Sequence, residues 1–310
     1  MPANNSNGVR RRSWHRRHGA ILLSRYPRPV LSDDSEDLFP TLRHPRYSQS
    51  VERGLAVLTS FTPEEHLRGI FTVADELGMS RATTHRYMST LVELGMLEQP
   101  RNGGRRAYQL GARVADIGLA VLNCNPVRAT GRPILEGLRG ELSHTVSSTI
   151  LHGDEILILD RLRGSRGDAR LKLNLGPASH LPVYCTSAGK VLLAFLPSDQ
   201  RKDLLRQVSF DRRGPNTIIT KARLVAELEQ ISQVGFAVDS EELRVGVHSI
   251  AVPVYGATGD VIAAVDVAAP TEIVDRPRLV NDFGPRLQAA ADELSAALGY
   301  RPNTDQPSED

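Results

Sequence analysis

The chain of 310 residues is poor in cysteine, with only Cys124 and Cys185, which excludes a disulfide framework and a cysteine-rich zinc site. Its nine histidines are scattered, so no metal cluster is expected. No apolar run approaches the roughly 18 residues of a membrane-spanning helix, and Ala20–Leu23 is too short for a signal-peptide core. These absences predict a protein of the reducing cytoplasm, without membrane contact and without a metal or other cofactor.

Signatures of common enzymes are also missing. The run Ser187-Ala188-Gly189-Lys190 resembles the end of a phosphate-binding loop, but the first glycine of that loop is absent and Val191 replaces its Ser or Thr. Neither H-E-x-x-H nor G-x-S-x-G occurs. We therefore expect a protein that is not an enzyme. A small-molecule sensor or enzyme that does not act through DNA is the alternative.

Net charge is low, +2 at neutral pH, but it is unevenly distributed. Residues 1–46 contain nine Arg against four Asp and Glu, a balance of +5. Residues 47–110 contain seven basic and seven acidic residues. The basic N-terminal segment has no sustained periodicity and is typical of a disordered tail. A basic arm that enters the minor groove and an extension from a misassigned start codon are alternatives.

The order of parts in residues 72–110 is typical of a winged helix-turn-helix. Val73, Ala74 and Leu77 can share one face of a first helix. Gly78 follows, where a helix end favours left-handed backbone angles, and Ser80 is a good N-cap for a second helix. Helical hairpins with a glycine turn occur in many bundles, so the motif alone is a weak signal.

The second helix, from Ser80 to Leu94, has an apolar face and a polar face. Small residues, hydroxyls and a guanidinium on the polar face suit the major groove, where Arg binds guanine bidentately and a Thr methyl can touch a thymine methyl. The candidate contacts to double-stranded operator DNA on this helix are Arg81, Thr83, His85, Arg86 and Ser89.

A basic hairpin follows this helix. Met96–Gln99 and Ala107–Leu110 are strand candidates, and the Asn-Gly and Gly-Gly pairs between them are hairpin turn signals. Phosphate contacts by arginine add salt-dependent affinity rather than base reading. The candidate contacts in this wing are Arg101, Arg105 and Arg106. A solvated arginine-rich loop is the alternative.

After the wing, an apolar stripe of Val114, Ile117 and Val121 predicts a linker helix that can self-associate or pack on its own domain. Hairpin strands flanked by helices then predict an α+β domain with an antiparallel sheet. Its first helix is predicted over Pro133–Ser143, and Ala169–Leu175 alternates apolar and polar residues. The predicted organisation is a tail over 1–46, a winged helix-turn-helix over 47–110, a linker helix over 111–125, a ligand-binding domain over 126–300 and a disordered tail over 301–310.

Several runs in the chain together resemble the IclR-type transcriptional regulators. SQSVERGLAVLTSF, ADELGMSRATTHRYMSTLVELGMLE and RRAYQLGARVADIGLAVL are similar to the N-terminal half of that family, and LPVYCTSAGKVLLAFLP and GFAVDSEELRVGVHSIAVPVYGATGDVIAAVDVAAP to its effector domain. The resemblance covers residues 47–298 and implies a GAF-like effector domain, a homodimer or dimer of dimers, and control by a small organic acid. LKLNLGPASHLPVYCTSAGKVLLA and GVHSIAVPV resemble the subgroup that controls aromatic-acid breakdown through protocatechuate and β-ketoadipate.

The resemblance also implies an effector site between the CTSAGK helix start and the later strands. A helix N-terminus can take a carboxylate on its free N–H groups. Hydroxyls of Ser187 and Ser249 can add donors, and Asp239 can accept from a ligand hydroxyl. Asp266 stands where the family commonly has Ser, and His248 where the subgroup often has Arg. The implied effector-binding residues are Leu173, Ser187, Ala188, Asp239, Ser249, Asp266 and Ala268.

Overall fold

The structure is a computed structural model that describes residues 48–100, 107–166, 171, 173 and 175–302. The predicted tail over 1–46, the wing arginines Arg101, Arg105 and Arg106, and most of the predicted C-terminal tail lie outside the described residues. Contacts within the chain divide it into two compact units between Gly118 and Leu119. No helix among the described residues is long and apolar enough to cross a membrane.

The N-terminal unit contains three helices and a small antiparallel sheet. The helices are α1 (Gln49–Thr59), α2 (Ile70–Leu77) and α3 (Arg81–Glu93), and the strands are β1 (Arg68–Gly69), β2 (Leu97–Glu98) and β3 (Ala107–Leu110) in the order β1-β3-β2. Val57, Val73, Met88 and Tyr108 pack in its core. Strand β1 was missed from the sequence because a two-residue strand has no readable alternation.

The turn between α2 and α3 follows the sequence expectation. Gly78 ends α2 with a left-handed backbone at φ 61°, which a side chain would strain. Ser80 caps α3, and its side chain accepts a hydrogen bond from the Thr83 N–H. Thr84, Met88 and Leu91 are buried below the helix. The predicted helix-turn-helix is therefore present.

Helix α4 (Ala112–Asn123) contains the division between the units, and α5 (Pro126–Leu142) opens the second unit. The predicted start of α5 at Pro133 was wrong by two turns. Asn125 caps the helix by accepting from the Val127 N–H, and Pro126 is tolerated in the first turn, where its missing N–H has no partner to lose. Pro133 lies inside the helix, where packing of the buried Leu135 and its neighbours outweighs the lost hydrogen bond.

The second unit is built on a six-stranded antiparallel sheet in the order β6-β5-β4-β9-β8-β7. Its strands are β4 (Thr145–His152), β5 (Glu155–Leu162), β6 (His180–Pro182), β7 (Ala237–Ser240), β8 (Val247–Tyr255) and β9 (Val261–Pro270). Strand β6 was not predicted. The predicted alternation over Ala169–Leu175 falls largely outside the described residues.

Helices cover both faces of this sheet. The further helices are α6 (Ser187–Ala194), α7 (Ser198–Gln207), α8 (Lys221–Val234) and α9 (Gly284–Ala297). One core joins α5 and α9 to one face, with Leu135, Val265 and Leu287 buried, and the other joins α6 and α8 to the opposite face, with Val191 and Leu228 buried. The arrangement confirms the predicted α+β class with an antiparallel sheet.

Candidate functional site

One face of α3 is exposed to solvent. Arg81, His85 and Arg86 are exposed on it, and Thr83 and Ser89 are partly exposed between them. These are the five residues that the sequence assigns to DNA contact on this helix. The first turn of α3 contains no acidic residue, so the positive end of the helix dipole is not neutralised locally.

Arg81 is held in place by an aromatic ring that sequence reasoning overlooked. Its guanidinium lies 4.4 Å from the ring centroid of Phe71 on α2, and half of the Phe71 surface is exposed. Stacking on a ring uses the face of a guanidinium and leaves the N–H groups at its edge available to an acceptor such as phosphate.

All seven residues that the resemblance assigns to the effector line one cavity in the second unit. They come from the start of α6, from β7, β8 and β9, and from Leu173 in the segment before β6. The floor is the sheet and the roof is α6. Thr186, in the helix start that the sequence indicated, also lines the cavity. Nine further lining residues had not been indicated: Ser147, Thr149, Ile156, Ile158, Arg161, Leu175, Leu181, Leu243 and Val247.

The cavity is small. Its volume is about 40 Å³, well below the roughly 150 Å³ of a dry apolar cavity that binds benzene. A ligand that contains an aromatic ring therefore has to displace lining side chains, so its binding is coupled to a change in shape.

The start of α6 forms one end of the cavity. Thr186 caps the helix by accepting from the Gly189 N–H, and the N–H groups of Ser187 and Ala188, in the first turn, have no partner within the helix. The hydroxyls of Ser187 and Ser249 lie 2.7 Å apart and bond to each other. Two side chains that were expected to donate separately thus form a pair.

A buried network of charged side chains includes Lys190 of α6. The Lys190 ammonium is fully buried and donates to Glu227 at 2.6 Å, Glu242 at 2.5 Å and the Val238 carbonyl at 2.8 Å. Burial acts to lower the pKa of Lys190, but the two carboxylates outweigh it and the pKa is raised. Lys190 is therefore a structural cation at the base of α6, which accounts for a lysine that resembled part of a phosphate loop.

Asp239 joins this network to the cavity. Its Oδ1 accepts from the Glu242 N–H at 2.7 Å. Burial, reinforced by the charge of Glu242, raises the pKa of Asp239 to about 7. This carboxyl can therefore be neutral or charged near neutral pH.

Asp266 and Arg161 form the other polar part of the floor. Burial raises the pKa of Asp266 to about 7, and the nearby Arg161 charge acts in the opposite direction. Asp266 was predicted. Arg161 was missed because strict alternation along Ile156 and Ile158 places Asp160 on the cavity face.

Two protein-family models match this chain. The family model for the bacterial transcriptional regulator IclR C-terminal region matches residues 119–296, and that for the IclR helix-turn-helix domain matches residues 50–101. The Pca regulon regulatory protein of Pseudomonas putida is 29% identical over 270 residues, which cover 87% of this chain and 91% of that protein.

Solved structures share the fold. A protein of Rhodococcus sp. RHA1 is 31% identical with a TM-score of 0.71, covering 81% of this chain and 98% of that one. An IclR homolog of Microbacterium hydrocarbonoxydans, solved with 4-hydroxybenzoate, is 23% identical with a TM-score of 0.67, covering 80% of this chain and 98% of its own. At that identity the second likeness shows the fold alone.

Proposed function

Because the chain belongs to the IclR family of bacterial transcriptional regulators, we propose that its activity on DNA is set by a small aromatic carboxylic acid bound in the second unit. The family assignment makes it a DNA-binding regulator rather than an enzyme.

The observation that carries the proposal is the convergence on one cavity of the seven residues that the resemblance assigns to the effector. Ser187 and Ala188 come from a helix start, Asp239, Ser249 and Asp266 from three strands. Their sequence positions span residues 173–268, and the fold places them around a single cavity. Eight of its seventeen lining residues are polar or charged, and polar groups that converge among apolar walls are typical of a ligand site.

The lining favours an aromatic acid. Ile156, Ile158 and Leu173 provide apolar walls for a ring, while carboxyl, hydroxyl and guanidinium groups line the same cavity. The relative from Pseudomonas putida is named a Pca regulon regulator, and the structural neighbour from Microbacterium hydrocarbonoxydans was solved with 4-hydroxybenzoate. Both names agree with an effector of this class.

The DNA-binding part of the proposal assigns the exposed face of α3 to the operator. The wing arginines Arg101, Arg105 and Arg106 add phosphate contacts, and the chain acts in the bacterial cytoplasm as a homodimer or dimer of dimers. Ile117 and Val121 on α4 are more than half exposed, which supports α4 as an association face. The proposed domains are those predicted from the sequence, with the linker helix over 111–125.

Titration calorimetry of the full chain with 4-hydroxybenzoate, protocatechuate and β-ketoadipate tests the effector class. We expect at least one aromatic acid to bind the wild type and Ser249→Leu to abolish that binding, because the larger side chain fills the cavity. Ser232→Leu, on the exposed side of α8, is the matched control and should bind normally. Absence of binding by all three acids, or normal binding to Ser249→Leu, would contradict the proposal.

A further inference from the structure

The sheet floor of the cavity contains a row of three polar side chains whose function is unassigned: Arg161, Ser147 and Asp266. We infer that this row binds the carboxylate of the effector, and that the ring hydroxyl lies at the opposite end of the cavity, at the start of α6. The inference rests on the proposed function and deepens it, because it assigns the orientation of the ligand. It also narrows the ligand class to acids with a hydroxyl across the ring from the carboxylate.

Strand register brings the three side chains together. Arg161 on β5 lies opposite Ser147 on β4, and Ser147 lies opposite Asp266 on β9. Residues directly opposite each other in an antiparallel sheet project from the same face, with Cβ atoms about 5 Å apart. The three groups are therefore adjacent on the cavity face, with the hydroxyl between the cation and the carboxyl.

A β-bulge is what turns Arg161 to this face. Pairing shifts between Ser148 and Thr149, so that Ser148 faces Asp160 and Thr149 faces Ile158. Leu159 is the extra residue. It packs in the opposite core, and Asp160 bonds to Arg132 of α5, 2.9 Å away on that same side. Bulges are enriched next to binding sites, where they redirect a side chain.

The buried Ser147 hydroxyl is an independent observation that supports a ligand at this row. Its side chain is only 2% exposed, and its Oγ has no hydrogen-bond partner among the described residues. A buried hydroxyl without a partner loses its hydration without compensation. It lines the cavity next to Arg161, so a ligand carboxylate placed there can accept a hydrogen bond from the Ser147 hydroxyl beside the Arg161 charge.

The opposite end is less suited to a carboxylate. The Ser187 and Ser249 hydroxyls already bond to each other, and the Asp239 carboxyl stands beside them. Arg161 is the single cation among the described residues that line the cavity. A phenol hydroxyl fits the α6 end better, because it accepts from the Ala188 N–H and donates to Asp239.

The two ends lie far enough apart in the sheet for a ring to fit between them once lining side chains move. Arg161 on β5 and Asp239 on β7 are four strand spacings apart in the sheet, roughly 19 Å between backbones at about 4.8 Å per strand. The long arginine side chain covers part of this distance. The apolar Ile158 and Leu173 line the same cavity.

Asp266 need not repel the bound carboxylate. Its burial favours the neutral acid, with a pKa of about 7. In that form it is a hydrogen-bond donor to the ligand. In its charged form it would instead pair with Arg161 and compete with the ligand.

Calorimetry with 4-hydroxybenzoate and benzoate, which lacks the hydroxyl, tests the orientation in the full-length chain. Arg161→Gln should weaken binding of both acids by about tenfold or more, the usual range for a lost charged hydrogen bond. Ser147→Ala should weaken both by a smaller and equal factor. Asp239→Asn should weaken 4-hydroxybenzoate by a larger factor than benzoate, because only 4-hydroxybenzoate has a hydroxyl that donates to Asp239. Arg161→Lys, which keeps the charge, should fall between wild type and Arg161→Gln.

The outcomes separate a wrong ligand orientation from a wrong effector class. If wild type binds 4-hydroxybenzoate and both Arg161→Gln and Ser147→Ala bind it equally well, the orientation is wrong and the proposed function stands. If Asp239→Asn weakens benzoate as much as 4-hydroxybenzoate, the carboxylate lies at α6 instead. If wild type binds neither acid, the effector class is wrong and the inference fails with it. If Arg161→Gln does not fold, the effect of Ser147→Ala on binding tests the orientation by itself.

Discussion

At the scale of single residues, the cavity is defined by two carboxyl groups with raised pKa values. Asp239 and Asp266 both titrate near pH 7 because burial disfavours their charged forms. A carboxyl whose pKa is higher in the folded chain than in the unfolded one destabilises the fold when it ionises. Stability contributed by the neutral form is complete below the unfolded value of about 4 and is lost as pH rises toward 7.

Asp266→Asn should therefore make the unfolding free energy of the second unit less dependent on pH. Between pH 5 and pH 8 we expect the variant to lose less stability than the wild type, by up to about 3 kcal/mol, since each pKa unit corresponds to about 1.4 kcal/mol. Urea titrations followed by circular dichroism at both pH values measure this. Asp199→Asn, at a carboxyl side chain 95% exposed, should match the wild type. An equal pH dependence in Asp266→Asn and wild type would contradict the raised pKa.

Arg86 tests the recognition face of α3. It is exposed and follows the half-buried Thr83 and the exposed His85 on the same surface. If it binds a base bidentately, Arg86→Ala should cost about 1–3 kcal/mol in operator affinity, measured by gel shift. Arg206→Ala, at an exposed arginine of α7, is the control for lost charge. An operator affinity unchanged by Arg86→Ala rejects this role.

Residue-level prediction reaches positions that a motif fixes and misses those that tertiary geometry fixes. The residues assigned to the effector through family resemblance all line one cavity, and their role in binding stays a prediction. The position of Arg161 in the cavity could not be predicted, because a bulge cannot be read from alternation. The contact of Phe71 with Arg81 could not be predicted, because it joins two helices across a turn. Both depend on tertiary packing rather than on local pattern.

At the scale of elements, helix ends were predicted correctly where a capping residue was recognised in the sequence. Ser80 and Gly78 marked the helix-turn-helix correctly, since each has a backbone role that few other residues fill. The start of α5 was misplaced because Pro133 was read as a helix start, although Asn125 with Pro126 formed the actual one. The strands β1 and β6 contain too few residues to give a period.

Helix α4 carries the association prediction. Ile117, Leu119 and Val121 are 54%, 51% and 61% exposed, which is unusual for three large apolar residues on one helix. Ile117→Lys combined with Val121→Lys should shift the chain to smaller species in sedimentation velocity, because two charges replace apolar contact area. Asp116→Lys adds positive charge on the same helix without removing apolar surface and should leave the assembly unchanged. Unaltered sedimentation of the double variant would exclude α4 as the association face.

At the scale of the whole molecule, a DNA-binding unit and a ligand-binding unit are joined in one chain. The fold class and the family could be predicted from the sequence because several motifs occur in a fixed order. The response of DNA binding to a ligand could not be predicted, since it depends on how the small cavity opens around that ligand. A ligand alters DNA binding only to the extent that it binds two states of the protein differently.

The most direct measurement is the affinity for a duplex, selected by the wild-type chain from a random pool, with and without 4-hydroxybenzoate. The dissociation constant for the duplex, measured by fluorescence anisotropy, should change by about 5-fold or more on ligand addition, the lower range of allosteric coupling. Arg161→Gln should bind the same duplex but need about tenfold or more higher ligand concentration for the same response. A selected duplex whose affinity is unchanged by 4-hydroxybenzoate bound to the wild type would contradict the account.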